Sequence, residues 1–463
     1  MALFCASCAT QAPAPKLSEA LPDDVPDKWS SALRVDNQAF VQGWLGDFNA
    51  PGLAAIVTEA LTANRDLQSA AARVDAARAQ ARISGASLWP DADLSFSAQR
   101  SKRTPSGLVV GSSPAVTRFG LDANISWEAD LWSRLNDQSK AAGLTAEATE
   151  ADYESARLSL VASVSKAWFS VAESSAQILL AEHTVESFRR AGNTIEERYR
   201  RGLASALDVH LARENVATAE SSLAQWRRER DGATRVLEAL LGRYPSAALT
   251  SAGVLPEVRD PVPAGLPASL LSRRPDLLAA EMRLRAASYR LTAARKNLLP
   301  SIRLTASAGT ASSALSNLLD WNQLVWSLLG SVTQPLFQGG QLSAERALAA
   351  ADHRELWAAY AQIVLTAFRE VESTLAAEQW YLDQEAALDV ASSEAGAAVS
   401  LAFEQYGQGL IDIVTLLETQ RRAFTAESNR LRTIRQRLDN RVALYLALGG
   451  PFEAPAKETK VKQ

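Results

Sequence analysis

The sequence predicts a mainly α-helical protein with a small β part, assembled from two similar halves. Three observations carry this expectation. A long internal repeat links the halves, four short runs alternate with a period of two, and heptads run through long stretches almost free of proline. Residues 66–98 align without gaps on 276–308, pairing Asp66, Leu67, Ala70, Arg73, Leu88 and Pro90 with Asp276, Leu277, Ala280, Arg283, Leu298 and Pro300. Further along, Tyr199, Gly202, Leu203 and Gly242 match Tyr406, Gly409, Leu410 and Gly449 at a second constant offset. A repeat of this length is too long for a solenoid, so it reads as a duplication.

Each half opens with an Ala- and Arg-rich helix, expected over 51–88 and 276–298. Pro90 and Pro300 end them, because proline cannot continue helical hydrogen bonding and drives its predecessor toward extended geometry. The periodicity then becomes that of strands. Leu94, Phe96 and Ala98 alternate with polar residues in 93–99, as do Phe119, Leu121, Ala123, Ile125 and Trp127 in 119–128. Ile302, Leu304, Ala306 and Ala308 do the same in 302–308, and a weaker run, 324–333, places Leu324, Trp326, Leu328 and Val332 on one face. Such alternation gives each strand one apolar and one polar face. Gly- and Ser-rich loops over 101–117 and 310–320 would make two hairpins, 93–128 and 302–333.

After each hairpin come two long helices, expected over 134–195 and 204–241, then 342–402 and 412–448. Val161, Val164, Trp168, Val171, Ile178 and Val185 hold one heptad seam, and Val209, Ala212, Val216, Ala219, Leu223 and Trp226 begin another. Leu417, Phe424, Leu431, Leu438 and Tyr445 recur every seven residues. About 60 helical residues extend about 90 Å, much longer than a compact domain needs. The Pro-rich segments 9–50, 243–274 and 449–463 read as strap, connector and tail around repeats at 51–242 and 275–448.

Composition narrows the function. The 463 residues carry a net charge of −4, with 22% charged and 47% hydrophobic residues, which suits an ordered protein and gives no sign of a nucleic-acid surface. The only cysteines are Cys5 and Cys8, and His183, His210 and His353 lie far apart, so no metal site or cofactor is expected. There is no HExxH, P-loop, GxSxG or dinucleotide fingerprint, which speaks against an enzyme. Residues 1–8 read as the remnant of a lipoprotein signal, with small residues Ala6 and Ser7 before Cys8 as the acylated residue.

Four strands of roughly 9–11 residues are long enough to cross a bilayer, but too few to close a barrel. An open edge in lipid would leave backbone groups unpaired at several kcal/mol each. Closure requires partner copies, eight strands in a dimer or twelve in a trimer, and the same symmetry would bundle the long helices into a second cylinder. A coiled-coil scaffold explains the heptads but not the strands placed symmetrically after Pro90 and Pro300.

From Trp44 to Gly450 the chain resembles the outer-membrane efflux factor family of TolC-like channel-tunnels, in the lipoprotein branch serving resistance-nodulation-division pumps. The motifs are WLGDFNAPGLAAIVTEAL at the start, SWEADLW (126–132), RRPDLLAAEMRLRAA (273–287), QPLFQGGQL (334–342) and YLALGG (445–450). The resemblance implies a homotrimer with a 12-stranded transmembrane β-barrel and a periplasmic α-barrel. It implies a passive efflux duct in the outer-membrane lipid, docked to a periplasmic adaptor and an inner-membrane resistance-nodulation-division pump. An exit duct for type I protein secretion is the alternative within the family.

The resemblance also assigns residues. Gly202, Leu203, Ala204 and Ser205, with Gly409, Leu410, Ile411 and Asp412, match the periplasmic hairpin tips that touch the adaptor. Val414 and Glu418, four apart on one helix face, match the apolar and acidic rings that close the entrance. The sequence departs from the pattern in having Thr415 where some relatives have a second acid, and valine where leucine is usual. Trp89, Trp127, Trp132, Trp321 and Trp326 fit an interfacial girdle or packing under the barrel rim. Mass spectrometry of the mature N-terminus should find an acyl group on Cys8 that Cys8→Ser removes; an unmodified cysteine in the native protein would end the lipoprotein assignment.

Overall fold

The computed structural model describes residues 26, 29–31, 43–50, 52–102, 114–249, 254–257 and 273–450. Cys8, most of the strap, much of the 243–274 connector and the tail beyond Gly450 lie outside the described residues, as does 103–113 between the first two strands. The element order is α1 (Leu53–Ala63), α2 (Arg65–Ala86), β1 (Asp91–Ser101), β2 (Val116–Glu128), α3 (Arg134–Arg200), α4 (Ala206–Leu240), α5 (Pro275–Lys296), β3 (Ser301–Ser312), β4 (Val325–Thr333), α6 (Gln341–Gln408) and α7 (Ile413–Ala447). Two compact units result: Arg73–Glu150 with Ala279–Ala361, and a second made of Leu21–Ala72, Ala151–Leu278 and Gln362–Gln463.

The first unit holds the strands. They form one antiparallel sheet in the order β1-β2-β3-β4, so the two expected hairpins join through β2 and β3. The register keeps the alternation intact. Leu94 pairs with Ala123, Ala123 with Ala308 and Ala308 with Trp326 on one face. On the other, Asp93 pairs with Asn124 and Asn124 with Ser307, and Asn124 Nδ2 donates to Asp93 Oδ1 at 3.2 Å. Cross-strand pairs of this kind fix register, since a one-residue slip would exchange the faces. Strands β1, β2 and β3 run longer than the alternation alone indicated, and the second connection contains two 3-10 turns, Leu315–Asn317 and Trp321–Gln323. Trp127 and Trp132 donate to the Leu88 and Pro300 carbonyls at 3.0 and 2.7 Å, tying strand ends to the chain after α2 and α5. Trp89, Trp321 and Trp326 are exposed instead. At the foot of the sheet, Lys296 Nζ meets Asp137 Oδ2 at 2.6 Å in a buried ion pair.

The second unit is helical. The seam of Val161, Val164, Trp168, Val171, Ile178 and Val185 is buried throughout, and so are Val209, Ala212, Leu237, Leu417, Leu438 and Tyr445. One expectation fails here. The first helix is broken at Asn64, which takes extended geometry and accepts the Leu67 amide on its side chain at 2.9 Å. Asparagine competes with the helix by capping it. Its Nδ2 then donates to the Leu240 carbonyl at 2.9 Å, at the end of α4. Arg274 does the equivalent work at the other long-helix end, donating to Ala447 O at 3.2 Å and pairing with Glu370 and Asp276. Glycines allow both approaches: a Cβ on Gly242 would lie 2.6 Å from Ala63 O, and one on Gly449 3.0 Å from the Arg274 backbone. The Trp44 ring stacks on Tyr445 at 5.4 Å, and Phe48 packs edge-on against it.

One buried carboxylate organises the charges of this unit. Glu378 accepts from Arg441 at 2.6 Å and from Arg437 at 3.0 Å, with Arg437 also reaching Glu385 at 2.9 Å. Removing one partner of a buried network leaves charge uncompensated, and that costs more than the intact pair contributes. Glu378→Ala should therefore destabilise the protein by about 3 kcal/mol, read as an earlier denaturant or thermal transition; an unshifted transition would remove the network from the stability argument.

Candidate functional site

The expected tip residues fall in two connections of matching geometry, 201–205 between α3 and α4 and 409–412 between α6 and α7. Gly202 and Gly409 stand at φ 75° and 77°, the left-handed region that L-residues avoid. Each ends its helix with the same double bond. Gly202 N donates to Tyr199 O and Leu203 N to Arg198 O, at 2.9 and 2.8 Å. Gly409 N donates to Tyr406 O and Leu410 N to Gln405 O, at 3.0 and 2.9 Å. This is a Schellman closure, which satisfies carbonyls a helix end leaves open.

The returning helices are capped just as firmly. Ser205 forms a capping box with Asp208, its amide donating to Asp208 Oδ2 at 2.8 Å while its Oγ accepts from Asp208 N at 3.1 Å. Asp412 caps α7 by accepting the Thr415 amide at 2.8 Å, and the Thr415 hydrogen bonds hold its carboxyl below the usual carboxylate range. Ser205 and Asp412 thus have backbone work of their own. Leu203 and Leu410 stand out instead, 65% and 69% exposed, and Leu207 at the start of α4 is exposed as well. Ala204 is half-buried, and Ile411 packs against a buried cluster that includes Phe188, Ile195, Val209, Tyr406, Ile413 and Leu416. The cluster fuses the two hairpins into one tip.

A residue the sequence pattern did not single out locks that fusion. Arg198 Nη1 donates to the Tyr406 carbonyl at 3.0 Å and to Gly407 O at 3.4 Å, and the guanidinium lies 5.0 Å from the Tyr406 ring centroid. A cation on the last carbonyls of α6 answers the negative end of that helix, and the ring face adds attraction. The one signal in the sequence was asymmetry: at the position of the second half matching Arg198 stands Gln405.

Val414 and Glu418 lie one turn apart near the start of α7, with Val414 57% exposed. Glu418 is not a bare acid. Its carboxylate pairs with Arg421 and, at 2.9 Å, with Arg422. The hydrogen bond from Arg422, with the Arg421 charge nearby, holds the carboxyl below its ordinary range, so it remains ionised at neutral pH. Both arginines are largely exposed, and the i+3 and i+4 spacing was the signal that could have found them. Among the described residues no cluster of His, Cys, Asp or Glu is arranged to hold a metal ion.

With this geometry in place, comparison with known proteins is decisive. The profile of the outer membrane efflux protein family matches residues 56–243 and 266–450. The chain belongs to this family. It is 34% identical over 436 residues to the outer membrane protein OprJ of Pseudomonas aeruginosa, covering 93% of this chain and 91% of that protein. It is 33% identical over 417 residues to the toluene efflux pump outer membrane protein TtgF of Pseudomonas putida, covering 89% and 85%. The solved outer-membrane channel OprN superposes with a TM-score of 0.86 at 28% identity, covering 93% of this chain and 98% of that one. Members of the outer membrane efflux protein family are outer-membrane channels reaching into the periplasm, and this chain shares their mostly helical fold with its four-stranded sheet.

The clamp makes a direct prediction for this family member. Arg198→Ala should speed hydrogen–deuterium exchange at the Gly409 and Leu410 amides while leaving those of Gly202 and Leu203 unchanged. Equal exchange in variant and parent would show that Arg198 holds nothing.

Proposed function

We propose that this chain is one subunit of a homotrimeric exit duct of a tripartite efflux system. It conducts substrates passively from periplasm to exterior when docked to a periplasmic adaptor and an inner-membrane resistance-nodulation-division pump. The observation that carries this reading is the sheet. Its order leaves β1 and β4 as outer edges, and its apolar face presents exposed Leu94, Phe96, Trp326, Leu328 and Val332. A sheet with bare edges is untenable in hydrocarbon, and pairing β4 with β1 of the next copy closes twelve strands. A soluble scaffold would have no use for that face.

The helices support the same assembly. The most apolar stretch of α6 is long and apolar enough for a membrane span by composition, and only 6% of it is buried in the lone protomer, a surface that neighbouring protomers would cover. The two halves read as copies of one ancestral unit. The long helices have 67 and 68 residues and the returning ones 35 each. Asn64 and Arg274 hold equivalent carbonyls at Leu240 and Ala447, and the family profile matches each half.

In this reading the tips dock the adaptor. Gly202 and Gly409 shape the turns, Ser205 and Asp412 cap the returning helices, Ala204 and Ile411 seat them, and Leu203 and Leu410 present apolar contact surface. Val414 and Glu418 form the ring pair at the entrance, where Arg421 and Arg422 offset the acid. In this reading the energy for export comes from the pump. Cys8 would add a lipid anchor beside the barrel.

Two measurements test it. Bulky charged residues at Gly202 or Gly409 should abolish adaptor cross-linking and export while the trimer persists on gels; retained cross-linking would displace the tips from the docking role. Glu418→Gln leaves Arg421 and Arg422 without their carboxylate, so ion selectivity in planar bilayers should move toward anions. Selectivity identical to the parent would take Glu418 out of the conducting path.

A further inference from the structure

The sheet carries a feature that conduction does not use. The chain between β3 and β4 folds back over the apolar face and roofs a pocket of about 390 Å³. Leu121, Ala123 and Ala308 line the floor, and Leu318, Leu319 and Trp321 the roof. Thr310 on the same face anchors the roof by donating its hydroxyl to the Leu318 carbonyl, and Leu318 is buried as a result. Among the described residues no charged side chain lines the space. Leu319 and Trp321 are 78% and 82% exposed, an apolar lip that would be costly in water.

We propose that this pocket clamps an acyl chain of an outer-leaflet membrane lipid. The inference rests on the reading that the sheet spans the outer membrane. Its floor is continuous with the lipid-facing strand positions, since Ala123 pairs with Ala308 and Ala308 with Trp326 in one row. The helices leave the opposite ends of the strands, after Glu128 and Thr333 and before Asp91 and Ser301. With those helices on the periplasmic side, the connections and the pocket lie in the outer leaflet. The small side chains of Ala123 and Ala308 leave the groove, and the exposed indole of Trp321 suits the boundary between hydrocarbon and headgroups. The occupant is a long alkyl chain, and a membrane lipid is its source.

The test uses full-length trimer in proteoliposomes containing a phospholipid with a diazirine near the acyl terminus, followed by photolysis and peptide mapping. Adducts should concentrate on 318–324 and exceed those on Val332, an ordinary lipid-facing position. Ala308→Trp fills the floor and should lower the 318–324 adducts severalfold while leaving Val332 labelling unchanged. If Ala308→Trp fails to assemble, Leu319→Asn on the exposed lip is read in the same way. Uniform labelling along the apolar face, or labelling indifferent to both substitutions, overturns the proposal. So does a silent pocket. A photoreactive alkane that labels the site where the phospholipid does not would assign it to apolar cargo and overturn the lipid source. Single-channel conductance of the parent trimer is recorded alongside: its absence would sink the spanning reading, whereas normal conductance with no enriched adducts sinks only the pocket.

Discussion

Hydrocarbon offers no partner to a backbone N–H or C=O, and that constraint organises everything else in this protein. The protomer supplies four strands with matched faces and a complete internal ladder, and then stops with β1 and β4 as open edges. Those edges make sense only in company. The proposed closure with partner copies answers them, and the same assembly would cover helix surfaces that stay largely bare in one copy. The apolar stretch of α6, almost unburied in the lone protomer, is the helical counterpart of the unpaired strand edge.

Helix ends carry most of the specific chemistry. The α3, α4, α6 and α7 ends each close on a glycine in the left-handed region, Gly202, Gly242, Gly409 and Gly449, with the same pair of backbone bonds. Two of these glycines form open tips and two lie against a neighbouring segment of the same chain, Gly242 on Ala63 and Gly449 on Arg274. One backbone device thus serves an open turn at one end of each helix pair and a close-packed junction at the other. The halves differ in who holds the junction: Asn64 in the first, Arg274 with its two carboxylates in the second. The Arg198 clamp on Tyr406 is asymmetric in the same sense, because the first hairpin holds the second without reciprocation.

Charge around Glu418 is not simply acidic. Glu418 taken alone suggests a cation-selecting ring. Beside Arg421 and Arg422 it is the minority charge of a short cluster, and its ionisation is favoured by the very residues that offset it. The buried network around Glu378 inverts that ratio of cost to exposure: there one carboxylate serves two guanidiniums with little access to water, so each member matters to stability.

Local patterns settled a large part of this architecture. Pro90 and Pro300 stand just past the ends of α2 and α5 and bar the helices from continuing, and alternation of Leu, Phe and Ala with Asp, Ser and Asn suits a two-faced strand. Heptads over long proline-free stretches allow only long packed helices. These rules act between near neighbours in the chain, so they were legible without coordinates, as was the repeat and the family resemblance it supported. The break at Asn64 was legible in principle, since asparagine is a capping residue, but a break within an alanine-rich run is decided by the Leu240 carbonyl waiting far along the chain. The joining of two hairpins through β2 and β3, the Arg198 clamp, the use of Trp127 and Trp132 as ties, and the roof over the apolar face all depend on segments distant in sequence meeting in space. Periodicity states which side of a segment is apolar; only the tertiary fold states what that side meets.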